Sequence, residues 1–119
     1  MKLAVFETGV DVAQAIGSLC PALECRCTPQ PLDIGNVADY RDIEIVSVGE
    51  GSRLTFPVLV QLPNAAIIIA RSPDHPIDLR FCARAGIAVI ELPARSDPTA
   101  APHMDAVLMA VHKLLEARA

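Results

Sequence analysis

The sequence has no tryptophan and only 3% aromatic residues, which leaves no platform of rings on which nucleic-acid bases could stack. Positive charge is also short. Ten Lys and Arg against fourteen Asp and Glu give a formal net charge of −4, the wrong sign for tracking a phosphate backbone. Nucleic acid is excluded as an expected partner on both counts. No apolar run approaches the roughly 18 residues needed to cross a bilayer. The opening Met1-Lys2-Leu3-Ala4-Val5-Phe6 turns acidic at Glu7 before a signal-peptide core builds, so it reads as structure. The expected setting is cytoplasmic, with no membrane partner. Cys-x-x-Cys is missing too, and Cys20, Cys25, Cys27 and Cys82 lack the rhythm of zinc ligands. No metal is expected; the cysteines read as reduced, buried thiols that behave as small hydrophobes.

What the chain does have is 119 residues, 52% of them hydrophobic, enough for one domain (1–119) with a real core. Lys2 to Phe6 is a short apolar strand. Val10, Ala13, Ile16 and Gly17 then share one helical face, with Asp11 in the first turn and Pro21 as the stop. Leu23, Cys25 and Cys27 alternate with Glu24 and Arg26, the period of a half-exposed strand at a sheet edge. A turn of helix is expected near Asn36 to Tyr40, and Ile43, Ile45, Val46 and Val48 mark a third strand ended by Gly49-Glu50-Gly51. Leu54 to Leu62 reads as a helix with Pro57 in its first turn. Ala65 to Ala70 has no polar member, as in a parallel strand covered on both faces. Ile77 to Ala85 reads as a helix with Gly86 as its left-handed end, and Ile87 to Leu92 as the fifth strand.

The last segment carries the clearest amphipathic pattern. Met104, Val107, Leu108, Val111, Leu114 and Leu115 repeat on one helical face, opened acceptably by Pro102. Five strands alternating with helices predict an α/β domain. Its parallel sheet takes the flavodoxin-like order 2-1-3-4-5, with helices on both faces.

From Leu62 onward the residues resemble a known family. Leu62-Pro63-Asn64-Ala65-Ala66-Ile67-Ile68-Ile69-Ala70-Arg71-Ser72 is similar to a stretch of the D-isomer-specific 2-hydroxyacid dehydrogenases of the D-lactate dehydrogenase type. The likeness continues through Ile77-Asp78-Leu79, Cys82 and Ala85-Gly86-Ile87-Ala88-Val89 to Leu92-Pro93, and more weakly at Thr99, Ala101 and His103. It covers the substrate ("catalytic") domain, about the first third of a member. The resemblance implies that hydride transfer needs a second, NAD-binding domain. None is expected within 1–119, and NAD enters only if a separate Rossmann-domain chain supplies it. The expected role is therefore a stand-alone, non-catalytic domain, with a split dehydrogenase component as the alternative.

The resemblance also shows departures. Where the family has a glycine-bearing turn whose N–H groups hold the substrate carboxylate, this sequence has Pro73-Asp74-His75-Pro76. Proline has no N–H to give, and Asp74 repels a carboxylate. Pro98 and Pro102 likewise replace polar residues of the family's later segment.

Arg71, Ser72, Asp74 and His75 still follow the carboxyl end of a buried strand, where open α/β sheets take ligands. They form the candidate site for a small anion, Asp74 orienting His75. The competing reading is a solvated loop whose Asp74 caps the next helix. Ser72, His75 and Asp74 have a triad's composition but sit too close in one loop to reach its geometry. His103 and His112 lie nine residues apart, on opposite helix faces at about 100° per residue, so they do not share a metal. Gly49-Glu50-Gly51 is the sequence's one G-x-G, but with Leu54 at the third glycine's place it reads as a plain strand-to-helix turn. Glu7 and Glu50 both follow strands and read as surface carboxylates. For partners, the Met104–Leu115 stripe must be covered, and a homodimer through that helix is expected, with packing on the chain's own sheet as its rival.

Overall fold

The apolar and alternating runs become five short strands, all parallel. The computed structural model describes residues 2–7, 24–49, 51–70, 77–91 and 116. The strands are β1 (Lys2–Phe6), β2 (Glu24–Thr28), β3 (Ile45–Val48), β4 (Ile67–Ala70) and β5 (Ala88–Glu91). They lie side by side as β2-β1-β3-β4-β5, the order and α/β class expected from the sequence. Register is continuous across the sheet: Val5 faces Cys27 on one side and Ser47 on the other, and Ile68 pairs with both Val46 and Val89. A 3-10 turn (Val37–Tyr40) sits between β2 and β3. Helix α1 (Phe56–Leu59) joins β3 to β4, and helix α2 (Leu79–Ala85) joins β4 to β5.

Period-two geometry sends successive side chains to opposite faces. Ala4, Phe6, Val46, Val48 and Ile68 face α1, α2 and the 3-10 turn, packing with Val37, Leu54, Val58, Leu59, Leu62 and Cys82. Leu3, Val5, Ile45, Ser47, Ile67 and Ile69 occupy the alternate positions and are buried as well, none more than 3% exposed. The sheet is therefore covered on both faces, which is why β3 and β4 carry no outward polar stripe. β2 is the exception. As an edge strand it keeps Glu24 and Arg26 exposed, and Arg26 stacks over the Tyr40 ring at 4.5 Å.

The helices are shorter than their periodic patterns. α1 keeps only Phe56–Leu59 of the Leu54–Leu62 span, with Pro57 in the first turn, where its missing N–H has no intrahelical partner to lose. Leu54 instead forms a bridge with Ile77 that joins the approaches to the two helices. α2 starts two residues later than expected because Asp78 is its N-cap, accepting from the Phe81 N–H at 3.0 Å. The cap is thus Asp78 and not Asp74. Gly86 ends α2 at φ 75°, the left-handed position expected of it. Among the described residues no helix is long and apolar enough to cross a membrane. The helices read at Val10–Gly17 and Met104–Leu115 lie outside the described residues.

Two changes test these ends. Asp78→Ala is expected to lower unfolding free energy by about 1 kcal/mol through the lost cap. Gly86→Ala is expected to cost about 1–2 kcal/mol, because alanine pays the left-handed penalty. Urea unfolding followed by circular dichroism checks both.

Candidate functional site

In this strand order the direction of winding reverses between β1 and β3, and the carboxyl ends of those strands are where open α/β sheets have their ligand crevice. Glu7 stands there, directly after β1. Its backbone is left-handed, φ 56°, a conformation that costs a residue with a Cβ about 1–2 kcal/mol. Its own N–H donates to the Gln30 carbonyl at 3.1 Å, and its carboxylate accepts four further bonds. The N–H groups of Gly49 (2.8 Å), Gly51 (2.7 Å) and Ser52 (3.1 Å) donate to it, and so does the Ser52 hydroxyl (2.7 Å). Ser52 is 1% exposed, and its oxygen in turn accepts the Leu32 N–H at 2.9 Å.

Converging backbone N–H groups of this kind make an anion-binding concavity. Here the anion is the protein's own. A Cβ on Gly51 would lie 2.6 Å from a Glu7 carboxylate oxygen, so a side chain at this place would push the carboxylate out of its present position. The Gly49 and Gly51 N–H groups of the G-x-G turn thus face this internal carboxylate, a partner the sequence reading of a plain strand-to-helix turn did not include. Glu7 is also more than the surface carboxylate expected, since it is half-buried and ties the β1 end to the loop after β3. That role was hidden because its partners lie 42 to 45 positions away. Glu50, Arg71, Ser72, Asp74 and His75 lie outside the described residues, as do Cys20, His103 and His112. What the structure places is the strand that leads to the loop: β4 runs centrally between β3 and β5, and its last residue, Ala70, sits level with Val48 and Glu91.

Two other features are candidates. Cys82 is buried in the core, as expected, and burial raises its thiol pKa. Cys25 and Cys27 correct that expectation. They are half-exposed on β2, and their sulfurs approach to 3.4 Å as a hydrogen-bonded pair. Burial, the hydrogen bond to Cys27 and the charge of Cys27 push the Cys25 thiol up to about 12. Among the described residues no three His, Cys, Asp or Glu side chains converge as metal ligands. The second feature is a shallow groove of about 120 Å³ between α1 and α2, lined by Leu59, Val60, Leu62, Phe81, Ala85 and Ile87. Phe56, Val60 and Leu79 expose about half their surface beside it, and Phe56 meets Phe81 edge to face at 5.3 Å. Sequence reasoning missed this patch because the pattern over Leu54–Leu62 assigned those residues to a longer helix.

The clasp yields a direct test. Glu7→Ala keeps the backbone strain and strands three N–H groups, so it is expected to cost about 2–3 kcal/mol in urea unfolding. Glu7→Gly relieves the strain and is expected to cost about 1 kcal/mol less than the alanine variant. A second test concerns pH. An unfolded Cys25 thiol ionises near 9.0 while the folded one stays protonated to about 12, so the folded chain keeps a proton the unfolded one has lost. The stability this contributes is complete below pH 9 and declines as pH rises from 9 toward 12. Cys25→Ser is expected to flatten that decline, measured by urea midpoints at about pH 8 and about pH 10.5.

No family model and no curated protein matches the chain. Solved structures do. The D-lactate dehydrogenase of Salmonella is 24% identical, with a TM-score of 0.68 over 81% of this chain and 31% of its own. The D-lactate dehydrogenase of Aquifex aeolicus, solved with NAD and lactic acid, is 22% identical, with a TM-score of 0.66 over 98% of this chain and 36% of its own. A putative D-3-phosphoglycerate dehydrogenase from Ralstonia solanacearum is 26% identical, with a TM-score of 0.65 over 81% and 31%. The chain thus spans about a third of the length of the enzymes it resembles. Its five-stranded parallel sheet has the fold of part of the D-lactate and D-2-hydroxyacid dehydrogenases, the same family that residues 62–92 resemble.

Proposed function

We propose that this chain is a substrate-domain module of the D-2-hydroxyacid dehydrogenase type that performs no hydride transfer by itself. In this reading it self-associates and holds a small anion on the loop after β4. The observation that carries it is the Glu7 clasp. In the one G-x-G turn of the sequence the Gly49 and Gly51 N–H groups, with that of Ser52 beside them, donate to an internal carboxylate and are not open to a dinucleotide pyrophosphate. Arg71 and His75 would hold the anion through charge, with Ser72 donating and Asp74 orienting His75. Their loop leaves β4, two strand spacings or about 10 Å along the sheet from β1 and Glu7. The Glu7 charge is met by its own four donors, which lessens its effect on that neighbouring site. Self-association would use the Met104–Leu115 stripe. A cytoplasmic setting suits the free thiols.

A second reading is favoured by the length comparison. Enzymes of which this chain covers 31–36% include one solved with NAD and lactic acid, so the chain would supply one lobe of a two-chain dehydrogenase and dock a separate NAD-binding chain. The experiment separates the two. The purified 119-residue chain, mixed with NADH and a panel of small 2-oxo acids, is expected to give no loss of NADH absorbance and no enhancement of NADH fluorescence. Light scattering is expected to read twice the chain mass. NADH oxidation by the chain alone would overturn the proposal, and oxidation only after adding a co-purifying Rossmann-domain chain would establish the second reading.

A further inference from the structure

The outer edge of β2 carries backbone groups that the sheet does not use, and the ladder fixes which ones they are. The Lys2 carbonyl accepts the Glu44 N–H at 3.0 Å, so the even-numbered positions of β1 bond toward β3. Bonding direction alternates along a strand, which turns Leu3 and Val5 toward β2. A slanted parallel ladder ties each of them to the residues flanking its partner. Leu3 faces Cys25 and bonds Glu24 and Arg26; Val5 faces Cys27 and bonds Arg26 and Thr28. The N–H and carbonyl groups of Cys25 and Cys27 are left pointing away from β1, and β2 is the last strand on that side. Among the described residues these groups make no hydrogen bond outside the sheet.

An open edge is a template for another strand, and its side chains decide which strand fits. Glu24 and Arg26 are exposed, opposite in charge and two positions apart on one face. Directly opposite residues of an antiparallel pair share a face. If two copies of β2 pair with Cys25 against Cys25, Glu24 of each copy falls opposite Arg26 of the other. Centring one position away sets Glu24 against Glu24 or Arg26 against Arg26, where like charges repel. Centring on Cys27 leaves both charges unmatched. The backbone agrees with the matched register. The outward groups of the two Cys25 residues exchange both bonds, which makes the flanking Glu24–Arg26 positions the closer, non-hydrogen-bonded kind, with Cα atoms about 4.5 Å apart.

Arg26 is already held in place for this contact. Its guanidinium stacks over the Tyr40 ring at 4.5 Å and its Nη1 donates to the Asp39 carbonyl at 3.1 Å, which leaves further N–H donors available. Its ion pair with Asp42 is loose, at 3.7 Å. The Cys25 thiol, pushed up to about 12, stays uncharged where the two copies meet.

We propose that the β2 edge receives a second copy of this chain: two β2 strands pair antiparallel about a two-fold axis at Cys25, flanked by two Glu24–Arg26 pairs, and join the two five-stranded sheets into one. The proposal rests on the self-association proposed above and names where the copies meet. It holds whether the Met104–Leu115 stripe adds to that contact or covers the chain's own sheet. The paired segment is short, so the dimer is weak and concentration-dependent.

The test is sedimentation equilibrium of the reduced full chain over a range of concentrations, with circular dichroism confirming the fold of each variant. The parent is expected to show a monomer–dimer equilibrium. Glu24→Arg and Arg26→Glu each place like charges in opposition and are each expected to weaken dimerisation at least tenfold. Mixing these two variants restores opposite charges at both flanking positions, and the mixture is expected to associate as the parent does. Cys25→Pro removes an outward N–H that β1 does not use, so it is expected to keep the fold and abolish the dimer. A parent dimer that neither the charge variants nor Cys25→Pro weakens would overturn this proposal and leave self-association standing. Weakened single variants that fail to associate on mixing would also overturn it. A parent that is monomeric at every concentration would overturn both this proposal and the self-association reading.

Discussion

One internal anion organises the end of the sheet where chemistry would take place. The Glu7 carboxylate joins three stretches of chain: the exit of β1, the Gly49–Ser52 turn after β3, and, through the Ser52 hydroxyl, the Leu32 approach. The adverse left-handed backbone of Glu7 persists because these bonds over-determine it. Charge-assisted bonds contribute about 1.5–3 kcal/mol each where they are well shielded, so several of them exceed a strain of one or two. The consequence for function is spatial. In a doubly wound sheet the first place to look for an anionic ligand is the switch point, and here that place is filled from within. In the function proposed above, the external anion is accordingly held further along the sheet, beyond β4.

How much of this was readable depends on the range of the interaction involved. The β4 strand was plain because six consecutive residues, Ala65 to Ala70, carry no polar atom in their side chains, and only a strand buried on both faces tolerates that. The edge character of β2 followed from the Glu24 and Arg26 alternation, and the end of α2 from Gly86. These are local signals. The helices came out shorter because the apolar spacing of Leu54 and Leu62 reflects burial in a shared core and not membership of one helix. The clasp was not readable at all. Nothing near Glu7 distinguishes it from an exposed carboxylate, and its partners become neighbours only when β1 and β3 pair. The candidate loop from Arg71 to His75 was legible only as a position after a central strand, through the general rule for open sheets.

The thiols show how a single pattern holds two meanings. Alternation at positions 23 to 27 was read for burial, and the apolar-looking members were taken as core. In the structure Cys25 and Cys27 do share a face, but at an edge strand that face is only partly covered, so the pair remains half-exposed. Cys82, on a helix facing the central strands, meets the same residue type with full burial. Position in the sheet decides how far a cysteine is buried.

The same distinction bears on what can dock here. Phe56, Val60 and Leu79 each leave about half their surface exposed. Fully burying such a side chain is worth about 1.5–3 kcal/mol, so covering three half-exposed ones yields about 2–5 kcal/mol. Association of two chains costs about 4–15 kcal/mol in lost freedom of motion. The three side chains of the patch between α1 and α2 therefore offset only the lower end of that cost. In the function proposed above, the stripe at Met104, Val107, Leu108, Val111, Leu114 and Leu115 would supply six more large apolar side chains, enough to change the sign of that balance if it faces a partner and not the chain's own sheet. Both proposed readings of function thus draw their partner surface from the same segment, the one the sequence pattern marks most strongly.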